Sequence, residues 1–312
     1  MEIIPLILII LICATLLLGY PVAFTLSGVS LLFALACIPF GVFDASIFKS
    51  IPIRIFGIMN NVTLLAVPLF IYMGTILERS GIAAQMLKNM ALAFKNIRGG
   101  LSISIIFVGA LLAASTGIVG ATVVTMGLMS LPIMMQQGYR KDFASGLVAS
   151  TGTLGQIIPP SIALVLLGDV MSNAYQRAQN DMGIFSQKTV TVGDLFIGAI
   201  IPGAMICFGY LLYTIYKNFE NKNIISDKST LSISKVELIK TLGLPLSLIF
   251  IVLGSIIAGI ATPTEASALG AMGALIISAI NGKISASFIK ETSQKTAIVS
   301  SMIFAILIGA SI

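Results

Sequence analysis

Histidine and tryptophan are both absent from the 312 residues. Without histidine the chain has no imidazole proton relay and lacks the commonest general base and metal ligand. Without tryptophan, tyrosine and charged residues must mark any membrane–water interface. Charge is scarce as well. Asp, Glu, Lys and Arg make up 10% of the chain, against about 25% in a soluble domain. Too few polar residues remain to clothe a surface facing water. The three cysteines, Cys13, Cys37 and Cys207, lie in apolar runs with no CxxC spacing. They indicate neither a disulfide framework nor a zinc site and read as small hydrophobic filler. No paired carboxylates lie at membrane depth, so an intramembrane enzyme has no catalytic dyad to use.

What is present is apolar. Hydrophobic residues make up 57% of the chain, and mean hydropathy is +1.05. Several apolar runs approach the ~20 residues that a membrane-spanning helix needs. The fold class expected is an all-α polytopic membrane protein. The net charge of +6 reads as topology. No Lys/Arg block is interleaved with aromatics, so nucleic acid is not an expected partner; membrane lipid is.

Charge placement threads the chain. The run 195–216 is uncharged and is followed by Lys217, Lys222, Lys228, Lys235 and Lys240. Such a loop stays on the cytoplasmic side. Residues 242–280 are long enough for two helices, with a break at Ala261-Thr262-Pro263-Thr264 facing outside. Lys283, Lys290 and Lys295 lie inside again. Upstream, 143–170 crosses from the inside turn Arg140-Lys141. A loop with Arg79, Lys88, Lys95 and Arg98 is also inside. Between those two inside segments, 99–139 carries no charge. It must leave and return to one side, as a re-entrant helical hairpin turning at Ser115-Thr116-Gly117; its first arm, 101–112, is too short to span. The segments 3–18, 22–38 and 64–77 read as helices, with an amphipathic outside arm over 43–60. Glu2 precedes the first run with no basic n-region, so that run reads as a helix, not a cleaved signal. The N-terminus is then outside.

Two segments begin alike. Gly19-Tyr20-Pro21-Val22-Ala23 opens one helix, and Thr262-Pro263-Thr264-Glu265-Ala266 opens another. Each is followed by a helix, an amphipathic arm (43–60; 283–295) and a further apolar helix (64–77; 297–312). The first starts inside and the second outside. Opposed related units are the mark of inverted-repeat transporters, whose sites lie at the midplane where broken helices meet. The second unit stops at Ile312, before a hairpin of its own. By that symmetry the chain is expected to be a fragment, missing roughly a hundred residues or more. A carboxylate at Ile312 would also sit in hydrocarbon, at a cost of at least about 2.5–3.5 kcal/mol.

The stretch Ser150-Thr151-Gly152-Thr153-Leu154-Gly155-Gln156-Ile157-Ile158-Pro159-Pro160-Ser161 lies in an uncharged run. It cannot form one continuous helix, because proline lacks a donor and clashes with the preceding turn. Irregular backbone at this depth is tolerated only where it is buried in protein or lines a polar cavity. Hard cations take oxygen ligands, and neutral oxygens suffice for a monovalent ion. Na⁺ is therefore expected between the two breaks, held by Ser115, Thr116 and Gly117 from the hairpin and by Ser150, Thr151, Thr153 and Gly155 from the broken helix. Pro159, Pro160 and Ser161 keep the helix open, and Thr262, Pro263 and Glu265 form the corresponding break in the second unit. Any single Ser or Thr here can equally pack or bond back to the preceding turn. Glu265 can be a coupling carboxylate or, with Thr262 as N-cap and Pro263 at the first turn, part of a helix cap.

The string Ala149 to Ile162, with its Gly155-Gln156-Ile157-Ile158-Pro159-Pro160-Ser161 core, resembles the signature of the large membrane subunit of TRAP transporters, the DctM type. So do Gly19-Tyr20-Pro21-Val22-Ala23-Phe24, Ala113-Ala114-Ser115-Thr116-Gly117, Ala121-Thr122 and Gly259-Ile260-Ala261-Thr262-Pro263-Thr264-Glu265-Ala266. The match runs in order along the chain. Where many members carry Ser-Gly-Ser-Ala at the hairpin, this chain has Ser115-Thr116-Gly117-Ile118-Val119-Gly120, which is closer to the branch named for mannitol or chloroaromatic compounds. The resemblance implies an elevator-type, sodium-driven uptake system in the bacterial inner membrane, with no cofactor beyond the coupling ion. Its other parts would be a periplasmic solute-binding protein that delivers an organic acid and a small four-helix membrane subunit. It also divides the chain into scaffold helices and arm (1–98), transport hairpin and broken helix (99–172), outside loop and returning helix (173–216), cytoplasmic loop (217–241) and the start of a second repeat (242–312). The alternative is a stand-alone permease for dicarboxylate, citrate or an oxyanion.

Overall fold

A computed structural model describes residues 3–116, 119–184, 186, 188–220 and 235–312. Among the described residues there are helices and turns but no strand. In chain order the helices are α1 (Ile3–Leu17), α2 (Val22–Cys37), α3 (Ile51–Met59), α4 (Ala66–Arg79), α5 (Ile82–Ala93), α6 (Gly100–Thr116), α7 (Val119–Gln136), α8 (Lys141–Thr153), α9 (Ile162–Asp181), α10 (Val192–Glu220), α11 (Lys235–Ile257), α12 (Pro263–Ile280) and α13 (Ala286–Ser311). Among the described residues, Val22–Phe40, Val192–Glu220, Pro263–Ile280 and Ala286–Ser311 are each long and apolar enough to cross a membrane.

The chain forms two compact units. One comprises residues 1–62 with 297–312, and the other comprises 63–296. In the first, α1 and α2 pack on each other, yet α1 buries no residue and leaves Ile3, Leu6 and Ile10 bare. Such a surface suits lipid, not water. The amphipathic arm is a 3₁₀ turn over Ala45–Ser50 followed by α3. Asp44 caps the turn by accepting from the Ser46 N–H at 2.8 Å. In the same unit the Arg54 guanidinium donates to the Ser311 carbonyl at 3.4 Å.

The second unit is organised around α4 lying along α12, with α11 against α12 and α6 against α4. Phe70, Ile71, Met73 and Ile76 of α4 are buried. So are Ala266, Ser267, Gly270, Ala271 and Ala274 of α12, a face of small residues. Small side chains let membrane helices approach closely, which matters where burial of apolar groups gives no net drive. α12 starts as its sequence suggests. The Thr262 hydroxyl accepts from the Glu265 N–H at 3.3 Å, and the Glu265 carboxylate accepts from the Thr262 N–H at 2.8 Å. Pro263 sits at the first turn, where a missing N–H costs nothing.

Besides the loop expected over 217–241, which α10 enters as far as Glu220 and α11 from Lys235 onward, four segments differ from the sequence expectation. The inside loop with Arg79, Lys88, Lys95 and Arg98 contains α5, which buries Ile82, Ala83, Met86, Leu87, Asn89 and Met90. Those positions form one stripe at helical spacing, and Asn89 donates to the Thr241 hydroxyl at 2.8 Å, fixing α5 to α11. The first hairpin arm runs to Thr116 and is 17 residues long, not the shorter 101–112. At 1.5 Å per residue it reaches about 25 Å, still short of the ~30 Å hydrocarbon core. The outside loop expected from Asn173 begins only after Asp181, because α9 continues through a polar stretch. Buried Gln179 then pins the loop, accepting from the Lys188 N–H at 2.8 Å and donating to the Lys188 carbonyl at 2.8 Å. Finally, the arm 283–295 and the helix 297–312 are parts of one helix, α13. No proline or glycine interrupts it before Gly309.

Charged residues stitch the second unit at one end. Lys295 of α13 pairs with Glu78 of α4 at 2.8 Å, and the other Glu78 oxygen accepts from the Thr125 hydroxyl of α7 at 2.9 Å. Arg79 pairs with Glu291 beside it. The Glu78 side chain is only 16% exposed, so loss of its partner strands a largely desolvated carboxylate. Lys295→Met is expected to cost about 1–3 kcal/mol, between the exposed-pair and buried-pair ranges. The readout is a lower thermal-unfolding midpoint in detergent, and an unchanged midpoint would show that the pair contributes nothing.

Candidate functional site

The hairpin expected over 99–139 is built from α6 and α7, which pack on each other and on α8. Gly117, and the side chains of Ser115 and Thr116, lie outside the described residues. The broken helix is α8, then a single 3₁₀ turn over Leu154–Gln156, then an irregular link, then α9. From Phe143, the first residue past the charged start of α8, to Thr153 is roughly 16 Å of helix. That length is about half the thickness of a ~30 Å hydrocarbon layer. The 3₁₀ turn packs against both arms of the hairpin.

Two close approaches fix this arrangement. A Cβ on Gly109 of α6 would lie 2.8 Å from the Thr151 Cβ of α8. A Cβ on Gly152 would lie 2.3 Å from the Val123 Cγ2 of α7 and 3.2 Å from the Val123 backbone nitrogen and Cα. Glycine inside a helix costs about 0.5–1 kcal/mol relative to alanine. Here it lets α8 seat against both arms at once. Gly109 was not among the residues singled out from the sequence, although its place in the middle of an otherwise apolar arm is the signal that could have found it.

The oxygen donors differ in what they already do. Thr151 is fully buried, and its hydroxyl donates to the carbonyls of Leu147 at 2.8 Å and Val148 at 3.1 Å. Its proton is directed into α8, which leaves oxygen lone pairs able to meet a cation. Thr153 is exposed and donates to the Ser150 carbonyl at 2.7 Å. Pro159 has no N–H to offer the Gly155 carbonyl and Pro160 none for Gln156, the partners that helical spacing would require. The Gln156 carbonyl is instead taken by the Ser161 hydroxyl at 2.8 Å. Ser161 is fully buried and caps α9, accepting from the Leu164 N–H at 3.4 Å. The Pro159–Pro160 peptide is cis. The side chains running from Phe143 to Gly168 carry no charge. This donor set of buried hydroxyl and freed carbonyl, without carboxylate, fits a monovalent cation better than a divalent one.

The residues of the other break play a different part. Thr262, Pro263 and Glu265 form the cap of α12, and both Thr262 donors, the N–H and the hydroxyl, are directed at the Glu265 carboxylate, each at 2.8 Å. That carboxylate is occupied in holding the helix start. Glu78, in turn, joins three helices through Thr125 and Lys295; a mid-chain carboxylate next to Arg79 gave no sequence sign of partners so distant in the chain.

Residues 9–312 match the family described as the tripartite ATP-independent periplasmic transporter, DctM component. The chain belongs to that family. Among its relatives, the C4-dicarboxylate TRAP transporter large permease protein DctM of Rhodobacter capsulatus is 30% identical over 270 residues, 86% of this chain and 59% of that protein. Its counterpart in Vibrio cholerae serotype O1 is 31% identical over 292 residues, 94% of this chain and 59% of that protein. The sialic acid TRAP transporter large permease protein SiaM of the same organism is 28% identical over 295 residues, 93% of this chain and 64% of that protein. The chain thus spans about three-fifths of the length of these relatives. Membership in the DctM family, with the apolar helices described above, makes this a multi-pass integral membrane protein.

The glycine contacts give a direct test of how the breaks are held. Gly152→Val is expected to force α8 away from α7, at about 1–3 kcal/mol, with a lower yield of folded protein by size-exclusion chromatography. Gly146→Ala lies on the same helix with open space around it. It is expected to leave the yield unchanged, and equal losses in both variants would contradict the packing described.

Proposed function

We propose that this chain is part of the large membrane subunit of a sodium-coupled tripartite uptake transporter for an organic acid. The observation that carries the proposal is the seating of the α8 break against both arms of an uncharged hairpin. Thr151 lies against Gly109 of the first arm, Gly152 lies against Val123 of the second, and the 3₁₀ turn that contains Gly155 packs on both arms. Thr151, Thr153, Ser150 and Gly155, with Ser115, Thr116 and Gly117, would hold Na⁺, whose gradient would supply the driving energy.

The N–H groups at the start of α9 could receive a substrate carboxylate, since helix N-termini favour anions. Two relatives are named for C4-dicarboxylate and sialic acid, both organic acids, at nearly the same identity to this chain. Substrate choice therefore does not follow from identity at this level, and the class proposed is the organic acid alone. A periplasmic solute-binding protein and a small four-helix membrane subunit complete the system, in keeping with the family's tripartite description. That description also favours this reading over a stand-alone permease for dicarboxylate, citrate or an oxyanion. The chain would lie in the bacterial inner membrane with its N-terminus on the periplasmic side, as the basic loops require.

Sodium-gradient-driven uptake by the full-length protein in liposomes, with both partners supplied, tests the reading. Thr151→Ala and Thr116→Ala are each expected to raise the half-saturating sodium concentration about tenfold, the equivalent of roughly 1.4 kcal/mol of ion binding. Unchanged sodium activation in both variants would reject these ligands.

A further inference from the structure

A cavity of about 490 Å³ opens between the start of α8 and the end of α10, away from the helix breaks. Arg140, Asp142, Tyr213, Lys217, Asn218 and Glu220 are among its lining residues. Its charges balance. Arg140 pairs with Asp142 at 2.6 Å, and Lys217 pairs with Glu220 at 2.5 Å. The acids are well exposed in both pairs, at 64% and 58%. Exposed pairs of this kind hold each other weakly, so either partner can turn to a ligand.

Asn218 points to what that ligand must carry. The residue is 97% buried, being 3% exposed. Its amide nitrogen donates to the Ser102 hydroxyl at 2.9 Å, while its Oδ1 is buried with no hydrogen-bond partner among the described residues. A buried acceptor left unpaired calls for a donor. The cavity therefore asks for a group with an anion for Arg140 and Lys217, a positive N–H donor for Asn218 Oδ1 and the two carboxylates, and no net charge.

The setting supplies the rest. α10 has 29 residues, more than a span needs, so its last turns reach the interface. Leu212, Tyr216 and Phe219, beside the cavity-lining face of α10, are exposed at 53%, 66% and 70%. They offer an apolar track for acyl chains leading from the interface. Pockets between membrane helices that present basic residues at an interface suit lipid headgroups.

We propose that this cavity binds the headgroup of phosphatidylethanolamine. The phosphate lies at Arg140 and Lys217, and the primary ammonium donates to the Asp142 and Glu220 carboxylates and, after a small shift of the Asn218 side chain that opens its buried Oδ1 to the cavity, to that oxygen as well. Phosphatidylcholine has the same net charge but no N–H donor. Phosphatidylglycerol has hydroxyl donors but a net negative charge.

Native mass spectrometry of the full-length protein, titrated with the three lipids at matched acyl chains, is the test. Phosphatidylethanolamine is expected to bind at least about tenfold more tightly than phosphatidylcholine, as a lost charged hydrogen bond implies. The double variant Arg140→Gln, Lys217→Gln is expected to abolish that preference without lowering the thermal midpoint, since both side chains lie outside the core. Soluble phosphoethanolamine, lacking acyl chains, is expected to compete only weakly. Equal binding of phosphatidylethanolamine and phosphatidylcholine would overturn the proposal. So would an undiminished preference in the double variant, or competition by phosphoethanolamine at the lipid's own affinity.

Discussion

Every backbone carbonyl at bilayer depth needs a donor, and two adjacent prolines withhold two of them. That single constraint shapes the centre of this protein. A helix crossing hydrocarbon would keep its groups paired along its own axis. Pro159 and Pro160 prevent this, and α8 gives way to one tight turn and an irregular link. The Ser161 hydroxyl makes good one of the two losses by bonding the Gln156 carbonyl. The surrounding helices have to shield what remains, and the glycines at Gly109 and Gly152 are the means by which two hairpin arms come close enough to do it.

The rest of the second unit can be read as support for that wrapping. The small-residue face of α12 lets α4 lie flat along it, and α4 in turn carries α6. Glu78 ties the second hairpin arm to α4 and α13 through Thr125 and Lys295. Because that carboxylate is little exposed, its two partners matter more than those of the exposed pairs Arg140–Asp142 and Lys217–Glu220. The ion pairs described here thus fall into two groups: those of Glu78 and Arg79, which hold helices together beside the hairpin, and Arg140–Asp142 and Lys217–Glu220, which line the cavity proposed to take a lipid headgroup.

Much of this was legible from the residues. The helices α1, α2, α4 and α10 to α12 follow from runs of apolar residues bounded by charge or by a proline turn, and the breaks follow from Pro159-Pro160 and Thr262-Pro263. The cap of α12 was one of two readings open for Glu265, and its hydrogen bonds form that cap. Other features were hidden for identifiable reasons. α5 carries Lys88, Gln85 and Asn89, so a charge-based threading passes over it as a loop, although its apolar stripe has helical period. The polar second half of α9 resembles a loop by composition and becomes helix through continuation of a capped start. The join within α13 was obscured by the switch from charged to apolar residues at Ala297, which alters the solvent a helix faces without ending it. For Thr151 the bond back to the preceding turn, one of the two readings, is present, and its part in holding an ion belongs to the proposed function.

In the proposed site, uncharged oxygens at two helix breaks would hold one cation. Anomalous difference density from thallium(I), replacing sodium in crystals of the full-length protein, tests this most directly. A peak is expected between the hairpin turn and the α8 break, within contact of Thr151 and the Gly155 carbonyl, and it is expected to disappear as sodium is restored. A peak elsewhere in the protein, with none between the two breaks, would contradict the proposed site.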